Sequence, residues 1–252
     1  MENNLETILR RALDNTAENL TSTAPRRVRF CYPIDQPTAA RLLSTAYRVE
    51  VEARAMKLQT PPELSHQLAG VATYLTARDR KPSLLLYGGQ PGTGKTTTVL
   101  AVIRMAKQLR ESYGTAGIER LQNELQRCLT DQERTAFERR ENAVKVPQYC
   151  HALEIARLAK ADPAKYNTLS ESCGFLAIDD LGTEPPEISD FGNKVLPLVE
   201  LLLRRYDKQL PTIITTNLSE KQIADIYGAR IADRLREMCE RISYNRAESY
   251  RV

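Results

Sequence analysis

The chain has 252 residues, of which 42% are hydrophobic, and this suits one sizeable α/β domain with a small appendage. Its 36 basic and 32 acidic residues leave a formal charge of +4, which permits a nucleic-acid partner but is too small to indicate one. No segment approaches the roughly 18 consecutive apolar residues of a membrane span, and nothing near the start reads as a secretory signal. The five cysteines are scattered without a C-x-x-C pair, so we expect reduced thiols and a cytoplasmic protein.

Residues 1–60 are predicted to form a small helical region. Its first half is mostly polar and is expected to be weakly structured. From Asp35, with Pro37 in the first turn, apolar residues recur at helical spacing for several turns. A second helix begins after Thr60, at Pro61 and Pro62, and a domain boundary is predicted there. Residues 61–252 would then form the main domain.

Beyond Thr60, short apolar runs alternate with amphipathic helices. The predicted strands are Ser83 to Tyr87, Val146 to Cys150, Phe175 to Ile178 and Thr212 to Thr216. The segment from Glu119 to Lys145 is dense in charge and helical in composition, which is more typical of solvated helix than of a binding site. Alternating strands and helices predict a parallel sheet covered by helices on both faces.

A phosphate-binding loop follows the first predicted strand. The segment from Gly89 to Thr96 matches the pattern G-x-x-x-x-G-K-[ST], with a strand before it and a helix after it. Its glycines allow backbone N–H groups to point at phosphates, and the helix that begins near Lys95 adds the positive end of its dipole. Lys95 would bridge the outer phosphates and the Thr96 hydroxyl would bind Mg²⁺. The predicted nucleotide-binding residues are Gly89, Gln90, Pro91, Gly92, Thr93, Gly94, Lys95, Thr96 and Thr97.

Polar residues at the ends of two later strands complete this prediction. Asp179 directly follows a buried strand, where a phosphate-binding loop needs an acid to hold hydrated Mg²⁺. Asp180 is placed to polarise the attacking water, although the same pair also suits a simple exit from a strand. Asn217 ends the strand at Thr216 and could orient that water, or it could belong only to the turn before a capped helix. His66 and His151 are expected to be incidental.

Two arginines lie on one face of a predicted helix near the end of the chain. Arg230 and Arg234 are four residues apart and flank an apolar stripe. A γ-phosphate bound by a neighbouring subunit would be a suitable target, because arginines supplied in this way greatly accelerate phosphoryl transfer. The alternative is a solvated basic helix.

With these residues in place, the chain from about Leu68 to Val252 resembles the AAA+ ATPases of the DnaC/IstB type. These include bacterial replicative helicase loaders and transposition helper ATPases. The segments that carry the resemblance are Leu84-Leu85-Leu86-Tyr87-Gly88, Ile178-Asp179-Asp180-Leu181-Gly182, Arg205-Tyr206-Asp207, Thr215-Thr216-Asn217, Asp233-Arg234-Leu235-Arg236 and Ser249-Tyr250-Arg251.

The resemblance implies an α/β fold with a five-stranded parallel sheet, ATP and Mg²⁺ as cofactors, and a site completed by the next subunit of a helical oligomer. By position, Asn217 corresponds to the sensor-1 residue, Arg234 to the trans-acting arginine finger and Arg251 to the sensor-2 arginine. Arg230 remains a rival to Arg234. Asp180 stands where many relatives carry Glu, which predicts slow hydrolysis.

The resemblance also implies partners. In helicase loaders the N-terminal region binds the replicative helicase and the ATPase domain binds single-stranded DNA. The corresponding expectation here is helicase binding through residues 1–60, whose lone Cys31 rules out the zinc-binding module of some other loaders. Two alternatives stay open: a transposition helper acting on duplex DNA, and an ATP-switched adaptor with little turnover.

Overall fold

A computed structural model of the protein describes residues 29–55, 62–88, 91–186, 188–190 and 193–244. The predictions made for residues 1–28, for Gly89 and Gln90, and for Arg251 lie outside the described residues.

Helices and strands alternate along the described chain. The strands are β1 Ser83–Tyr87, β2 Gln148–His151, β3 Leu176–Leu181, β4 Ile188–Asp190, β5 Asn193–Val195, β6 Thr212–Thr216 and β7 Cys239–Ser243. The helices are α1 Gln36–Glu52, α2 Pro62–Thr76, α3 Lys95–Tyr113, α4 Thr115–Leu125, α5 Asp131–Ala143, α6 Ala152–Ala161, α7 Pro163–Asn167, α8 Pro197–Asp207, α9 Glu220–Tyr227 and α10 Ala229–Met238, with a π-helical turn at Thr168–Ser172. Of the helices that the structure describes, none has the length and apolar character needed to cross a membrane.

Five strands form one parallel sheet in the order β2-β3-β6-β1-β7. This confirms the predicted parallel sheet. The fifth strand, β7, was not located from the sequence, because Cys239–Ser243 is an edge strand whose outward residues are polar. The antiparallel β4–β5 hairpin was not anticipated either.

The two faces of the sheet are covered by two separate apolar clusters. Successive strand residues point to opposite faces, so Leu84 and Leu86 join one cluster and Leu85 joins the other. The first cluster contains α1, α2 and α3, and the second contains α6, α8, α9 and α10. Helices therefore lie on both faces, as predicted.

Helix α1 packs on the same core as the phosphate-loop helix. Asp35 caps it by accepting a hydrogen bond from the Thr38 N–H at 2.7 Å, and Leu43 is fully buried in the first cluster. The predicted boundary near Thr60 stays a prediction. Within the described residues, however, α1 contacts α2 and α3 rather than standing apart from them.

The charged segment between α3 and β2 is helical and exposed, as expected. Helices α4 and α5 bury none of their residues. Arg127 and Glu133 form an exposed ion pair at 2.7 Å, and the Tyr113 and Phe137 rings meet edge to face with centroids 6.1 Å apart. The two helices therefore rest on the domain, whereas Val144, directly after α5, is buried in the first cluster.

Arg205 of α8 is fully buried, and its guanidinium is held by neutral acceptors. It donates to Thr212 Oγ1 at 2.8 Å and to the carbonyl oxygens of Leu169, Cys173 and Pro211 at 2.7, 3.0 and 2.8 Å. Burial lowers the pKa of Arg205 to about 10. This side chain joins the π-helical turn to the start of β6.

We expect Arg205→Met to destabilise the protein by about 3 to 5 kcal/mol, because it leaves several buried acceptors without a donor. The neighbouring Arg204 forms only exposed pairs, so Arg204→Met should change the free energy of unfolding by about 1 kcal/mol or less. Urea unfolding of both variants checks this. Similar midpoints for the two would contradict the structural role of Arg205.

Candidate nucleotide-binding site

A cavity of about 490 Å³ lies at the carboxyl edge of the sheet, where the loop before α3 meets the ends of β3 and β6. Its lining contains most of the residues that the sequence singled out. They are Pro91, Gly92, Thr93, Gly94, Lys95, Thr96, Thr97, Asp179, Asp180 and Asn217. Three residues of α1 and the turn after it also line the cavity, and the sequence did not indicate them: Tyr47, Val51 and Arg54.

The loop before α3 has a backbone that favours glycine. Gly92 and Gly94 adopt φ angles of 84° and 88°, and Gly94 is the residue before the first turn of α3. A side chain at either position would be strained by this conformation. The first-turn N–H groups of α3 are thereby left to face the cavity, an arrangement that suits an anion.

Lys95 is 5% exposed and points back over this loop. Its ammonium donates to the Gly88 carbonyl at 3.2 Å and to Thr93 Oγ1 at 3.1 Å. Burial lowers the pKa of Lys95, and the nearby Asp180 and Asp179 partly oppose that shift. The free site therefore disfavours the lysine charge, which an added phosphate would stabilise.

Asp179 is buried in the second half of β3 and accepts hydrogen bonds from three hydroxyl groups. Thr96 and Thr215 donate to its Oδ1 at 3.1 and 2.6 Å, and Tyr149 donates to its Oδ2 at 2.6 Å. Burial raises the pKa of Tyr149, and the bond to Asp179 raises it further. Thr96 and Asp179 are thus brought together, as the prediction of a shared Mg²⁺ requires.

The described residues contain no group of three or more His, Cys, Asp or Glu side chains that could hold a metal. A divalent ion here would depend on Thr96, Asp179 and the oxygens of a bound nucleotide or of water. That donor set, a hydroxyl and a carboxylate with open positions, suits Mg²⁺.

Asp180 occupies an irregular position in β3. Its φ is 54°, in the left-handed region, and the register of β3 against β6 shifts between Ile178 and Leu181. The Asp180 N–H donates to Thr215 Oγ1 at 2.8 Å. This bulge allows both consecutive acids to line the cavity, whereas a regular strand would send them to opposite faces.

His151 lies beside Asp180, although the sequence suggested that it was incidental. The Nε2 of His151 is 3.5 Å from Asp180 Oδ2, and its Nδ1 accepts a hydrogen bond from the Leu153 N–H at 3.4 Å. With Nδ1 acting as an acceptor, the proton of a neutral ring lies on Nε2 and faces the carboxylate. The parallel pairing of His151 with Asp179 creates this proximity, and it becomes visible only when the strand order is known.

Asn217 follows β6 and lines the cavity. Its side-chain oxygen is buried and has no hydrogen-bond partner within the described part of the chain. A buried acceptor without a donor is unfavourable, so this oxygen is suited to a ligand or a water held in the cavity. The capping box predicted just after it, between Ser219 and Gln222, is present.

The arginines of α10 lie away from the cavity of their own chain. Arg234 donates to Glu237 Oε2 at 2.8 Å and to the Tyr206 hydroxyl at 2.9 Å, and it lies over the Tyr206 ring at 4.5 Å. The hydrogen bond to Glu237 raises the pKa of Arg234. Arg230 is exposed, and no described residue is paired with it. Neither arginine lines the cavity of its own chain.

These features define a P-loop nucleotide-binding fold. The glycine loop joins β1 to α3, the two acids lie in the second half of β3, and β6, which Asn217 follows, lies between β1 and β3. With β7 on the far side of β1, the five-stranded parallel sheet with helices on both faces confirms the predicted α/β fold class.

Comparison with solved structures finds several distant matches. The crystal structure of the DnaC helicase loader matches at 18% sequence identity and a TM-score of 0.48, covering 74% of this chain and 93% of that chain. The crystal structure of DnaI matches at 16% identity and a TM-score of 0.48, covering 79% and 93%. Domain III of the Thermotoga maritima replication initiation protein DnaA matches at 11% identity and a TM-score of 0.41, covering 73% and 63%. No protein-family model and no curated protein matches the chain. Such distant likenesses describe the fold at most, so function is inferred from the site of this chain.

We expect Lys95→Met to remove nucleotide binding without destabilising the free protein. The pKa of Lys95 is lower in the folded protein than in the unfolded chain. The charged lysine therefore lowers the free energy of unfolding, and this effect is lost once the pH rises above the unfolded pKa, where both states are neutral. The variant should therefore unfold at the same or a higher urea concentration than the wild type at pH 7, with the difference shrinking in alkali.

ATP at about 100 times its dissociation constant should stabilise the wild type by about 2.7 kcal/mol and should not stabilise Lys95→Met. Urea unfolding with and without ATP measures both effects. Equal stabilisation of the two proteins by ATP would contradict the role assigned to Lys95.

Proposed function

We propose that this protein is an ATPase that binds ATP with Mg²⁺ in the cavity at the carboxyl edge of its sheet. The observation that carries the proposal is the meeting of Thr96 and Asp179, at 3.1 Å, beside the buried Lys95 at the N-terminus of α3. The N–H groups of the loop and Lys95 would hold the phosphates. Mg²⁺, when bound, neutralises charge on the outer phosphates, and Thr96 with Asp179 would hold it.

Asp180 is the proposed general base, and Asn217 would orient the attacking water. Both line the cavity, and the unpartnered oxygen of Asn217 offers that water an acceptor. Asp180 is one methylene shorter than Glu and faces the Nε2–H of His151. The shorter side chain leaves the carboxylate farther from an attacking water than a Glu side chain would, which supports slow turnover in the absence of a stimulus.

Hydrolysis is proposed to occur at a site shared between subunits. Arg234 is the proposed trans-acting finger because it is presented on α10 away from its own cavity, with Arg230 as the rival. Arg251, the proposed sensor-2 residue, lies outside the described residues.

We expect Arg234→Ala to lower the stimulated ATPase rate by about 10³-fold while leaving ATP affinity unchanged, because the finger acts only on the transition state. Mixing this variant with Lys95→Ala subunits should restore activity, since one supplies an intact phosphate loop and the other an intact finger. Single-turnover rates of each variant and of the mixture provide the measurement.

Arg236→Ala is the matched control, because Arg236 lies on the same helix and, like Arg234, forms exposed ion pairs, but it is not a proposed finger. Loss of activity in Arg230→Ala, with Arg234→Ala unaffected, would transfer the finger to Arg230. Full activity in both variants would show that the site is not shared.

The biological role that we propose is ATP-dependent loading of a replicative helicase, with self-association and binding of single-stranded DNA. It rests on the sequence resemblance to loaders, which spans the phosphate loop, the acid pair and the α10 arginines. Because α1 packs on the ATPase core, the helicase contact is proposed for the part of residues 1–60 that precedes this packed segment.

We expect a variant that begins at Arg29 to lose binding to a purified hexameric replicative helicase while keeping the ATP affinity of the full chain. Every described contact of the core is retained in that variant, so a fold defect would not explain the loss. Size-exclusion chromatography and titration calorimetry measure the two quantities. A full chain that does not bind the helicase, but coats duplex DNA in long filaments, would favour the transposition helper instead.

A further inference from the structure

One face of α1 and its terminal turn forms a wall of the nucleotide cavity. Tyr47, Val51 and Arg54 line the cavity and are spaced four and three residues apart, so that they lie one above another on the helix surface. The sequence assigned this helix to a partner-binding region. Its contribution to the nucleotide site is a result of the tertiary structure.

Helix α1 is held firmly enough to give this wall a fixed position. Leu43 is fully buried and Tyr47 is 3% exposed, both within the cluster that also contains the apolar residues of α3. Glu50 forms an ion pair with Arg104 of α3 at 2.6 Å. The end of α1 is thereby tied directly to the helix that follows the phosphate loop.

The chain turns sharply at the point where Arg54 leaves the helix. The Arg54 N–H donates to the Val51 carbonyl at 3.1 Å, and Ala55 adopts a left-handed φ of 55°. A non-glycine residue in this conformation is unfavourable in isolation and ends the helix. Arg54 therefore lies in the turn that ends the helix, and its side chain lines the cavity.

The guanidinium of Arg54 contacts the first turn of α3. One terminal nitrogen donates to Thr97 Oγ1 at 2.9 Å. Thr97 is the third residue of α3, so its backbone N–H is among those left for an anion. No described carboxylate pairs with Arg54. A cation next to an anion-binding helix terminus, bonded among the described residues to a neutral hydroxyl, is suited to a phosphate.

We propose that Arg54 is a nucleotide-binding residue that contacts the α-phosphate, and that nucleotide occupancy is transmitted to α1 through it. The proposal rests on the proposed ATPase function. Lys95, Thr96 and Asp179 are proposed to serve the outer phosphates. Arg54 instead bonds to Thr97, the next residue of α3, on the side of the cavity that α1 lines. A charge-assisted bond to phosphate replaces the bond to Thr97 and ties the end of α1 to the ligand.

The first test compares the affinities of Mg²⁺-ATP and Mg²⁺-ADP for the full-length wild type and for Arg54→Ala by titration calorimetry. Both affinities should fall by about 10- to 100-fold, since a hydrogen bond to a charged group is lost and both nucleotides carry the α-phosphate. Arg48→Ala is the matched control, because Arg48 is exposed on the same helix and does not line the cavity. It should bind as the wild type does.

Unchanged affinity in Arg54→Ala, an equal loss in Arg48→Ala, or a loss confined to ATP would overturn the assignment to the α-phosphate. Lys95→Ala separates this inference from the proposed function. If the wild type binds neither nucleotide, the proposed function fails. If the wild type binds, Lys95→Ala does not and Arg54→Ala binds normally, only the role of Arg54 fails.

The second test follows amide hydrogen exchange at residues 49–55 with and without ADP. Nucleotide should slow exchange there in the wild type and in Arg48→Ala, because α1 is tied to the ligand, and should have no effect in Arg54→Ala. Concentrations are set to saturate each variant. Equal slowing in Arg54→Ala would show that occupancy reaches α1 by another route.

Discussion

The carboxylate of Asp179 is the point on which the candidate site depends. Its two oxygens accept hydrogen bonds from Thr96 on α3, Thr215 on β6 and Tyr149 on β2. One buried acid thus joins the helix of the phosphate loop to both strands that flank β3. Because the strands are parallel, their carboxyl ends meet at one edge, and the interactions that position the acid also assemble the cavity around it.

Backbone conformation places the remaining groups around that acid. Glycines at positive φ open the loop toward the first turn of α3, and the left-handed Asp180 lets two consecutive acids reach one cavity. Thr215 links the two acids, since its hydroxyl donates to Asp179 and accepts from the Asp180 N–H. Unfavourable backbone conformations of this kind persist only when the surrounding bonds hold them, and they are typical of functional sites.

The arginines of this basic chain serve different purposes according to their surroundings. Arg205 is enclosed by carbonyl oxygens and belongs to the architecture. Arg234 is held outward by Tyr206 and Glu237, where a second subunit could meet it. Arg54 faces the nucleotide cavity from a helix that precedes the phosphate loop. The modest net charge therefore gives no sign of three arginines in such different surroundings.

The sequence by itself determined the fold class, the phosphate loop and the strand-end acids, because each depends on local spacing: glycines before a helix, or acids directly after an apolar run. It did not reveal β7, whose outward residues are polar. Nor did it show that Tyr149 lies beside Asp179, that His151 lies beside Asp180, or that Arg54 lies beside Thr97. Those neighbours lie 30, 29 and 43 residues apart in the chain, and only strand order and the packing of α1 bring them together. Local pattern identifies the groups that carry the chemistry, whereas long-range packing decides which other groups surround them.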